Sequence, residues 1–437
     1  MDDIKFALRQ KTLRKIILTA FFQGLRSLKI DKKRQLFVFA GSICTFALSV
    51  HCITSAYKIM PFLAVFNAIL LFPLSLFTIA LLIFLCGYVP GSYTMFEDLT
   101  RIGMTNEAFE APFPIHKEKI TNKVNEITFY SKGFPFSVWE EFKEKIETAL
   151  NVNIVDIREN GSKQEMTLQC VKATHALPSI VSWNKNLVRE DDFTIVLGET
   201  LFGLAEINLA HITHWLIGGT TGGGKTQLNR LIIHQCLLKG ASVYLADWKK
   251  GVDFYAFKDK INIVSDFEGL IATLFLLECE MNNRSELFIR EGVSNISEHN
   301  KLYDEKLNRI VFLVDEIAMI LDTKGMPKDI KEKSTDVLYR LNELTRLARY
   351  TGIHIILSTQ KPTVDAVPGS LKGNLEGRIC ARTTDSTSSI VILDDGSAAK
   401  LPPVRGRFIL RDNMGFDKIF QAYLLEDIDV YISNKGE

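Results

Sequence analysis

One eight-residue stretch has the glycine spacing and the closing lysine–threonine pair of a phosphate-binding loop. It follows the pattern G-x-x-x-x-G-K-[ST] and consists of Gly219, Thr220, Thr221, Gly222, Gly223, Gly224, Lys225 and Thr226. Glycines at these positions let successive backbone N–H groups turn toward phosphate oxygens at the positive end of a helix. In this pattern the lysine reaches the β- and γ-phosphates, and the threonine hydroxyl binds Mg²⁺. We therefore predict that residues 219–226 and the adjacent Gln227 bind ATP with Mg²⁺.

The residues on either side of this loop supply the structural context that the motif requires. The apolar run Trp215-Leu216-Ile217 precedes it, and a helical pattern over Gln227–Leu238 follows. A glycine-rich turn with a chance lysine is the alternative interpretation. A strand before the loop and a helix after it favour the nucleotide site.

A second element, residues 309–316, ends in two acids that could act on the same nucleotide. Residues 310–314 are continuously apolar, which is typical of a strand buried on both faces of a parallel sheet. Ligands of open α/β sheets bind at the carboxyl ends of the strands, where Asp315 and Glu316 lie. We predict that Asp315 holds Mg²⁺, directly or through water, and that Glu316 is the general base that orients the attacking water. The alternative is that both acids simply open the next helix.

Charge and hydropathy divide the chain of 437 residues, whose net charge is only +1. Residues 1–35 carry ten lysines and arginines against three aspartates, so the rest of the chain is acidic overall. The net charge of the later part of the chain therefore does not indicate that it binds a polyanion. Any contact with nucleic acid there must come from a few local residues.

Two uncharged stretches, residues 36–56 and 62–89, are each long enough to cross a bilayer as a helix. Lys58 and Pro61 lie in the short connection, which predicts a transmembrane hairpin. The hairpin predicts a protein of the inner membrane. Because basic segments stay on the cytoplasmic side of the membrane, both termini are expected in the cytoplasm. A cleaved signal peptide fits poorly, and a buried hairpin in a soluble core is the remaining alternative.

The cysteines and histidines predict no metal or disulfide chemistry. The seven cysteines include no C-x-x-C pair, and the eight histidines show no ligand spacing. The cysteines are interpreted as reduced thiols that pack as small hydrophobic side chains.

The order of patterns predicts an α/β chain of several parts. After a loop-rich exit at residues 90–114, residues 125–173 read as strand, helix, strand and strand, with Ser137 as a possible helix cap. Beyond residue 191 strands and helices alternate, which indicates a parallel, doubly wound sheet. The predicted parts are a basic tail (1–35), a transmembrane hairpin (36–89), a small α/β intermediate domain (90–190), a P-loop ATPase domain (191–411) and a C-terminal tail (412–437).

Several further motifs, in order along residues 193–410, resemble the FtsK-type DNA translocase family. They include Asp247-Trp248-Lys249, the stretch from Arg349 through Gly352-Ile353-His354, and Ser358-Thr359-Gln360-Lys361-Pro362. A run from Val364-Asp365 to Arg378-Ile379 and then Ile392-Leu393-Asp394 complete the resemblance. The resemblance implies a RecA-like motor that works as a homo-hexameric ring around DNA.

The resemblance also implies roles for individual side chains. Gln360 would sense the γ-phosphate, although it could be an ordinary polar residue at a strand end. Arg349 or Arg378 would be the finger supplied to ATP in the neighbouring subunit, and either could instead be a surface ion pair. Lys249 and Lys372 would contact DNA phosphates, although a solvated lysine is the more common case.

The departures from the family pattern suggest a particular branch. Ser388-Ser389-Ile390 stands where the family has an Asp-Ser-Arg, Trp248 replaces a proline, and no winged-helix domain follows the motor. Two spans, a small domain and a bare motor resemble the TcpA-like coupling proteins of conjugative plasmids and transposons. The hypothesis is a membrane ATPase that delivers relaxase-bound DNA to a transfer channel. A chromosome-segregation translocase, a protein-secretion ATPase and a non-hydrolysing membrane adaptor are the alternatives.

Overall fold

The computed structural model describes residues 13–25, 28, 32–106, 110–120, 124–174, 177–412 and 417–426. It divides into two compact units, which we call the N-terminal unit (Met1–Ala176) and the C-terminal unit (Leu177–Glu437). About half of the predicted basic tail lies outside the described residues, and within the tail residues 13–25 form a helix.

The N-terminal unit combines a helical hairpin with a small α/β domain. Its elements are α1 (Lys32–Ile59), α2 (Pro61–Gly87), α3 (Ser92–Arg101), β1 (Phe113–Lys119), β2 (Val124–Tyr130), α4 (Phe136–Glu141), α5 (Lys143–Leu150), β3 (Val152–Asn160) and β4 (Ser162–Lys172).

Helices α1 and α2 match the two predicted spans, except that α2 ends at Gly87 rather than at residue 89, and both are long and apolar enough to cross a membrane. Many of their large apolar side chains are exposed, such as Phe39, Phe62 and Ile69. An apolar surface of this extent is unfavourable in water and is satisfied by lipid. This exposure favours the membrane anchor over a hairpin buried in a soluble core.

The small domain is a four-stranded antiparallel sheet in the order β1-β2-β4-β3. Trp139 of α4 is fully buried and packs on Phe129 of β2, with ring centroids 5.2 Å apart. The indole N–H donates to Ser131 Oγ at 2.8 Å, which satisfies its one polar atom. This packing holds the helices on one sheet.

Two predictions for this region need correction. Ser137 does not cap the helix, because the cap position belongs to Pro135 and Ser137 lies inside α4. The exit at residues 90–114 is not all loop: it contains α3 and the first residues of β1. Strand β1 escaped prediction because its later residues are charged and exposed, as an edge strand tolerates.

The C-terminal unit is built on one large sheet. Its strands and helices are β5 (Val181–Ser182), β6 (Thr194–Thr200), β7 (Leu204–Asn208), β8 (Trp215–Gly218), α6 (Lys225–Leu238), β9 (Ser242–Ala246), β10 (Asn262–Val264), α7 (Phe267–Glu291), α8 (Ile296–Leu302), β11 (Ile310–Val314), α9 (Ala318–Leu321), α10 (Lys328–Leu347), β12 (Ile353–Thr359), α11 (Gly369–Lys372), β13 (Gly377–Ala381), α12 (Ser386–Leu393), β14 (Arg407–Arg411) and β15 (Lys418–Leu424).

The predicted α/β fold with a parallel, doubly wound sheet is confirmed for the central part of this unit. The strand order is β10-β9-β11-β12-β8-β13-β14-β15-β6-β7. The first six strands in this order, from β10 to β13, are all parallel to one another. Residues of β11 alternate between the two hydrophobic cores: Val311 and Leu313 join one, and Phe312 joins the other. Helix α6 covers the first face, while α7 and α10 cover the second.

An antiparallel extension, which the sequence did not predict, continues the sheet through β14, β15, β6 and β7. Strand β15 falls within the predicted C-terminal tail at 412–437, so the tail assignment is corrected for Lys418–Leu424. The other predicted domain boundaries stay predictions.

A close approach between β13 and β8 gives a test of the sheet's packing. Gly377 pairs with Trp215, and a Cβ at Gly377 would overlap the buried indole ring. Gly377→Ala is therefore expected to cost about 1–3 kcal/mol, or roughly 2–12 °C in Tm by thermal unfolding of the detergent-solubilised chain.

The matched control is Gly369→Ala in α11, where an added Cβ meets nothing within 4 Å. If both variants melted with the wild type, the tight contact between β13 and β8 would be wrong.

Candidate nucleotide-binding site

The predicted phosphate loop joins the carboxyl end of β8 to the first residue of α6, Lys225. Gly219, Gly222 and Gly224 adopt φ values of 134°, 81° and 104°, a region that favours glycine. The loop thus turns its backbone before a 14-residue helix, whose N-terminus attracts anions. This geometry suits a polyphosphate.

Two further contacts fasten the loop to the sheet. Thr220 donates from its hydroxyl to the Arg382 carbonyl at 3.0 Å, just beyond β13. Gly406 donates its N–H to the Gly223 carbonyl at 3.0 Å, and a Cβ on Gly224 would lie 3.0–3.1 Å from the backbone of Gly406. Sequence reasoning missed the role of Gly406, since the approach of β14 to the loop depends on tertiary packing.

Lys225 is 5% exposed and its ammonium is held inside the loop. It donates to the carbonyl oxygens of Gly219 and, at 2.9 Å, Thr220. Burial lowers the pKa of Lys225 to about 8, although the charges of Glu316 and Asp315 oppose the shift. Phosphate oxygens carry full negative charge, so they are stronger partners than these carbonyls for the lysine.

Asp315 directly follows β11 and is 3% exposed. Its Oδ1 accepts from Asn229 Nδ2 at 3.0 Å, whereas its Oδ2 has no hydrogen-bond partner among the described residues. Burial raises the pKa of this carboxyl, and the Asn229 hydrogen bond opposes the rise. A buried carboxylate oxygen without a donor is costly unless a cation satisfies it. The residue therefore fits Mg²⁺.

The described residues contain no cluster of three histidine, cysteine or acidic side chains that could hold a metal by themselves. At ATP sites Mg²⁺ is commonly held by one or two protein oxygens together with phosphate oxygens and water. Thr226, the second residue of α6, and Asp315 would be the protein contributions. Both remain predicted ligands.

Glu316 connects the strand β11 to the end of β12. Its Oε1 accepts from Thr359 Oγ1 at 2.8 Å, and its Oε2 accepts from Gln360 N at 2.7 Å. The Gln360 side chain in turn accepts from Thr221 Oγ1 at 2.8 Å. The predicted base, the predicted sensor and the phosphate loop are thus joined by consecutive hydrogen bonds.

The two predicted arginine fingers have different environments. Arg349 precedes β12 while Gln360 follows it, so they are separated by the length of a seven-residue strand, roughly 20 Å. Its side chain is 62% exposed and pairs with Glu376 at 3.4 Å. Arg349 cannot reach the phosphate loop of its own subunit, which agrees with action on a neighbour.

Arg378 instead lies in β13 and donates to three backbone carbonyls. Its partners are Leu375 at 2.6 Å, Lys372 at 2.8 Å and Ile392 at 3.2 Å. These bonds engage all three nitrogens of its guanidinium in holding its own chain. The environment does not support the finger role predicted for Arg378.

Three further predicted residues, Gln227, Lys249 and Lys372, lie in the C-terminal unit. Gln227 is the third residue of α6, and its Oε1 is buried with no partner among the described residues. Lys249 pairs with Asp253 at 3.0 Å, and Lys372 pairs with Asp394 at 2.6 Å. Nucleotide contact by Gln227 and DNA contact by the two lysines remain predictions.

Comparison with known proteins finds relatives over the part of the chain that contains this candidate site. Residues 180–364 match the model of the FtsK/SpoIIIE family. The chain is 32% identical over 230 residues to the DNA translocase FtsK of Streptococcus agalactiae, covering 48% of this chain and 27% of the relative. It is also 32% identical over 221 residues to the DNA translocase FtsK of Campylobacter jejuni, covering 48% and 22%. The chain therefore spans about a quarter of the length of these curated relatives.

Among solved structures, the fold is similar to the pCW3 conjugation coupling protein TcpA in its monomer form with ATPγS. The match has a TM-score of 0.59 and 27% identity, and it covers 78% of this chain and 98% of the other. The resemblance predicted from the motifs is confirmed.

Proposed function

We propose that this chain, whose residues 180–364 form an FtsK/SpoIIIE-family domain, is a membrane-anchored ATPase that drives DNA translocation as a conjugative coupling protein. One observation carries the ATPase: the hydrogen-bonded path from Thr221 through Gln360 to Glu316 brings the loop, sensor and base together. The similarity to DNA translocases supports DNA as the cargo, and the match to 98% of the coupling-protein chain supports conjugation over other tasks.

The side chains divide the work of phosphoryl transfer among them. The phosphate loop and Lys225 bind and orient the triphosphate. Glu316 accepts a proton from, or orients, the attacking water. Mg²⁺, when bound by Thr226, Asp315 and the nucleotide, would neutralise charge that develops on the phosphates. Gln360 would report the γ-phosphate to β12.

Arg349 would complete the site of the adjacent subunit in a homo-hexamer. Its exposure at the opposite end of β12 leaves the guanidinium accessible to a neighbour. An arginine supplied in this way stabilises the transition-state charge and contributes about 10³–10⁵ to kcat. The proposed partners are DNA, other copies of this chain, a relaxase and proteins of the transfer channel.

The proposed location of the chain is the inner membrane, with both termini in the cytoplasm. Helices α1 and α2 would form the two spans, and the basic residues 1–35 would remain inside with the C-terminal unit. Such an arrangement gives the motor access to ATP while it feeds DNA toward an exit in the membrane.

Transfer of the mobile element tests the cargo. A deletion complemented with wild-type chain is expected to transfer the element normally, while a Lys225→Ala chain abolishes transfer and leaves chromosome segregation unchanged. A segregation defect with normal transfer would favour a chromosome translocase. In filter binding, phosphate contacts should give affinity that falls steeply with salt, and a flat dependence with a protein substrate would favour secretion.

The finger prediction has its own test. Arg349→Ala is expected to lower ATP hydrolysis by about 10³-fold or more while ATP binding is kept, because the residue acts on the transition state. Arg346→Ala is the matched control, since Arg346 is a 59% exposed side chain that pairs with Glu343 on the same helix. Its activity should stay near that of the wild type.

Mixing variants distinguishes action on a neighbour from action within one subunit. Arg349→Ala subunits retain an intact loop, and Lys225→Ala subunits retain an intact finger, so mixed assemblies should recover part of the activity. No recovery in mixed assemblies that are shown to form would contradict the finger assignment.

A further inference from the structure

A buried amide lies between the predicted magnesium ligand and the strand that carries the predicted sensor. Asn229 is four residues after Lys225 and therefore one turn further along the same face of α6. Its Nδ2 donates to Asp315 Oδ1 and to Ser358 Oγ, each at 3.0 Å. Ser358 Oγ also donates to Asn229 Oδ1, at 3.2 Å.

All members of this cluster are shielded from water. Asn229 and Ser358 are fully buried, and Asp315 is 3% exposed. The neighbouring positions of α6, Leu228 and Leu231, are buried apolar residues of the core. An asparagine at such a position is unfavourable unless its amide is satisfied, and here its partners are an acid and a hydroxyl.

The hydrogen bonds hold one oxygen of the Asp315 carboxylate and leave the other oxygen available to a ligand. Asp315 Oδ1 is held by the Asn229 amide, whereas Oδ2 has no hydrogen-bond partner among the described residues. A neutral amide donor restricts rotation of the carboxylate and leaves its negative charge in place. A lysine or arginine donor would instead neutralise that charge. A carboxylate held in this way is prepared to bind a cation through its second oxygen.

We propose that Asn229 is a positioning residue that orients Asp315 toward the magnesium ion of bound Mg·ATP and connects it to β12 through Ser358. The inference rests on the proposed ATPase function. It adds a residue outside the phosphate-loop pattern and outside the pair of acids. The connection means that the metal ligand and Gln360, two residues beyond Ser358, are supported from the same strand.

A purely structural role is the competing explanation, and the same helix offers a control for it. Gln235 of α6 is also a fully buried amide, and it binds only the backbone: it accepts from Val196 N at 3.0 Å and donates to Val196 O at 2.8 Å. Gln235→Leu therefore removes a buried amide of the helix without touching the acids. Loss of packing would affect both variants alike.

The test measures metal binding apart from turnover in the full-length protein. A fluorescent non-hydrolysable ATP analogue is titrated with and without EDTA, and Mg²⁺ is then titrated into the nucleotide complex. Asn229→Leu is expected to raise the half-saturating Mg²⁺ concentration by about 10-fold or more. Nucleotide affinity in EDTA should stay within about 2-fold, because the residue acts through the metal.

The controls make the outcome decisive. Gln235→Leu should lower Tm and leave half-saturation by Mg²⁺ unchanged, and Ser358→Ala should shift it less than Asn229→Leu because the bond to Asp315 remains. If Asn229→Leu does not fold, Asn229→Ser is judged by the same criteria. Unchanged half-saturation, or an equal shift in Gln235→Leu, overturns the inference. Absence of Mg²⁺-dependent hydrolysis in the wild type would overturn the proposed function instead.

Discussion

Glu316→Gln is expected to bind ATP with nearly wild-type affinity and to hydrolyse it about 10²–10⁴-fold more slowly. Glutamine has the size of glutamate, so its carbonyl oxygen can still accept from the Gln360 N–H. Its amide N–H can donate to the Thr359 hydroxyl oxygen, in place of the bond that this hydroxyl now donates to Glu316. What it loses is the ability to take a proton or polarise the attacking water. The measurement is single-turnover hydrolysis together with equilibrium binding of ATP.

Glu332→Gln provides the matched control, because Glu332 is a 69% exposed side chain on α10 that pairs with Lys328 of the same helix. Its rates should equal those of the wild type. Retained turnover in Glu316→Gln would remove the residue from the chemistry, and loss of ATP binding would point to a structural role through its contacts with β12.

Lys225→Ala is expected to weaken ATP binding by roughly 10–150-fold, the equivalent of a lost charged hydrogen bond of about 1.5–3 kcal/mol, and to abolish measurable hydrolysis. The physical reason is that Lys225 is the one loop side chain that can place a positive charge on the β- and γ-phosphates. Isothermal titration and steady-state ATPase assays measure the two effects.

The control is Lys331→Ala on the exposed face of α10. The pKa of about 8 for Lys225 adds a second signature. Without nucleotide, its charge is fully present below this pKa and is lost as the pH rises through it, so initial capture of ATP should weaken above about pH 8. An alanine variant that binds ATP as tightly as the wild type would contradict the role of Lys225.

Local patterns determined the central part of the fold. The continuous apolar run of β11 and the glycine spacing of residues 219–226 each specify an element and its end. Two adjacent acids at the end of a buried strand must lie at the carboxyl edge of the sheet, so the placement of Asp315 and Glu316 near Lys225 was predictable.

Other features depend on contacts that no local pattern reveals. Strand β15 pairs with β14 and β6, and its place in the sheet is set by those partners rather than by its own sequence. The position of Arg378 in the family pattern predicted a finger. In the structure its guanidinium donates to the carbonyls of Leu375 and Ile392, which lie 3 and 14 residues away in the sequence. The roles of arginines depend on such neighbours.

Asn229 lies between these two cases. A polar residue one turn after the loop lysine, next to the apolar residues Leu228 and Leu231, is visible in the sequence as a change of residue type. Its partner could not be read, because the approach of α6 to both β11 and β12 is a property of the folded sheet.

The central claim is that this chain splits ATP at the site built by the loop and the two acids, and that DNA stimulates the reaction. The most direct measurement is steady-state hydrolysis by the full-length protein in lipid nanodiscs, with and without duplex DNA, for the wild type and Glu316→Gln. We predict hydrolysis that DNA increases in the wild type and that Glu316→Gln lacks. A folded, oligomeric wild-type protein that leaves ATP intact in the presence of DNA would contradict the account.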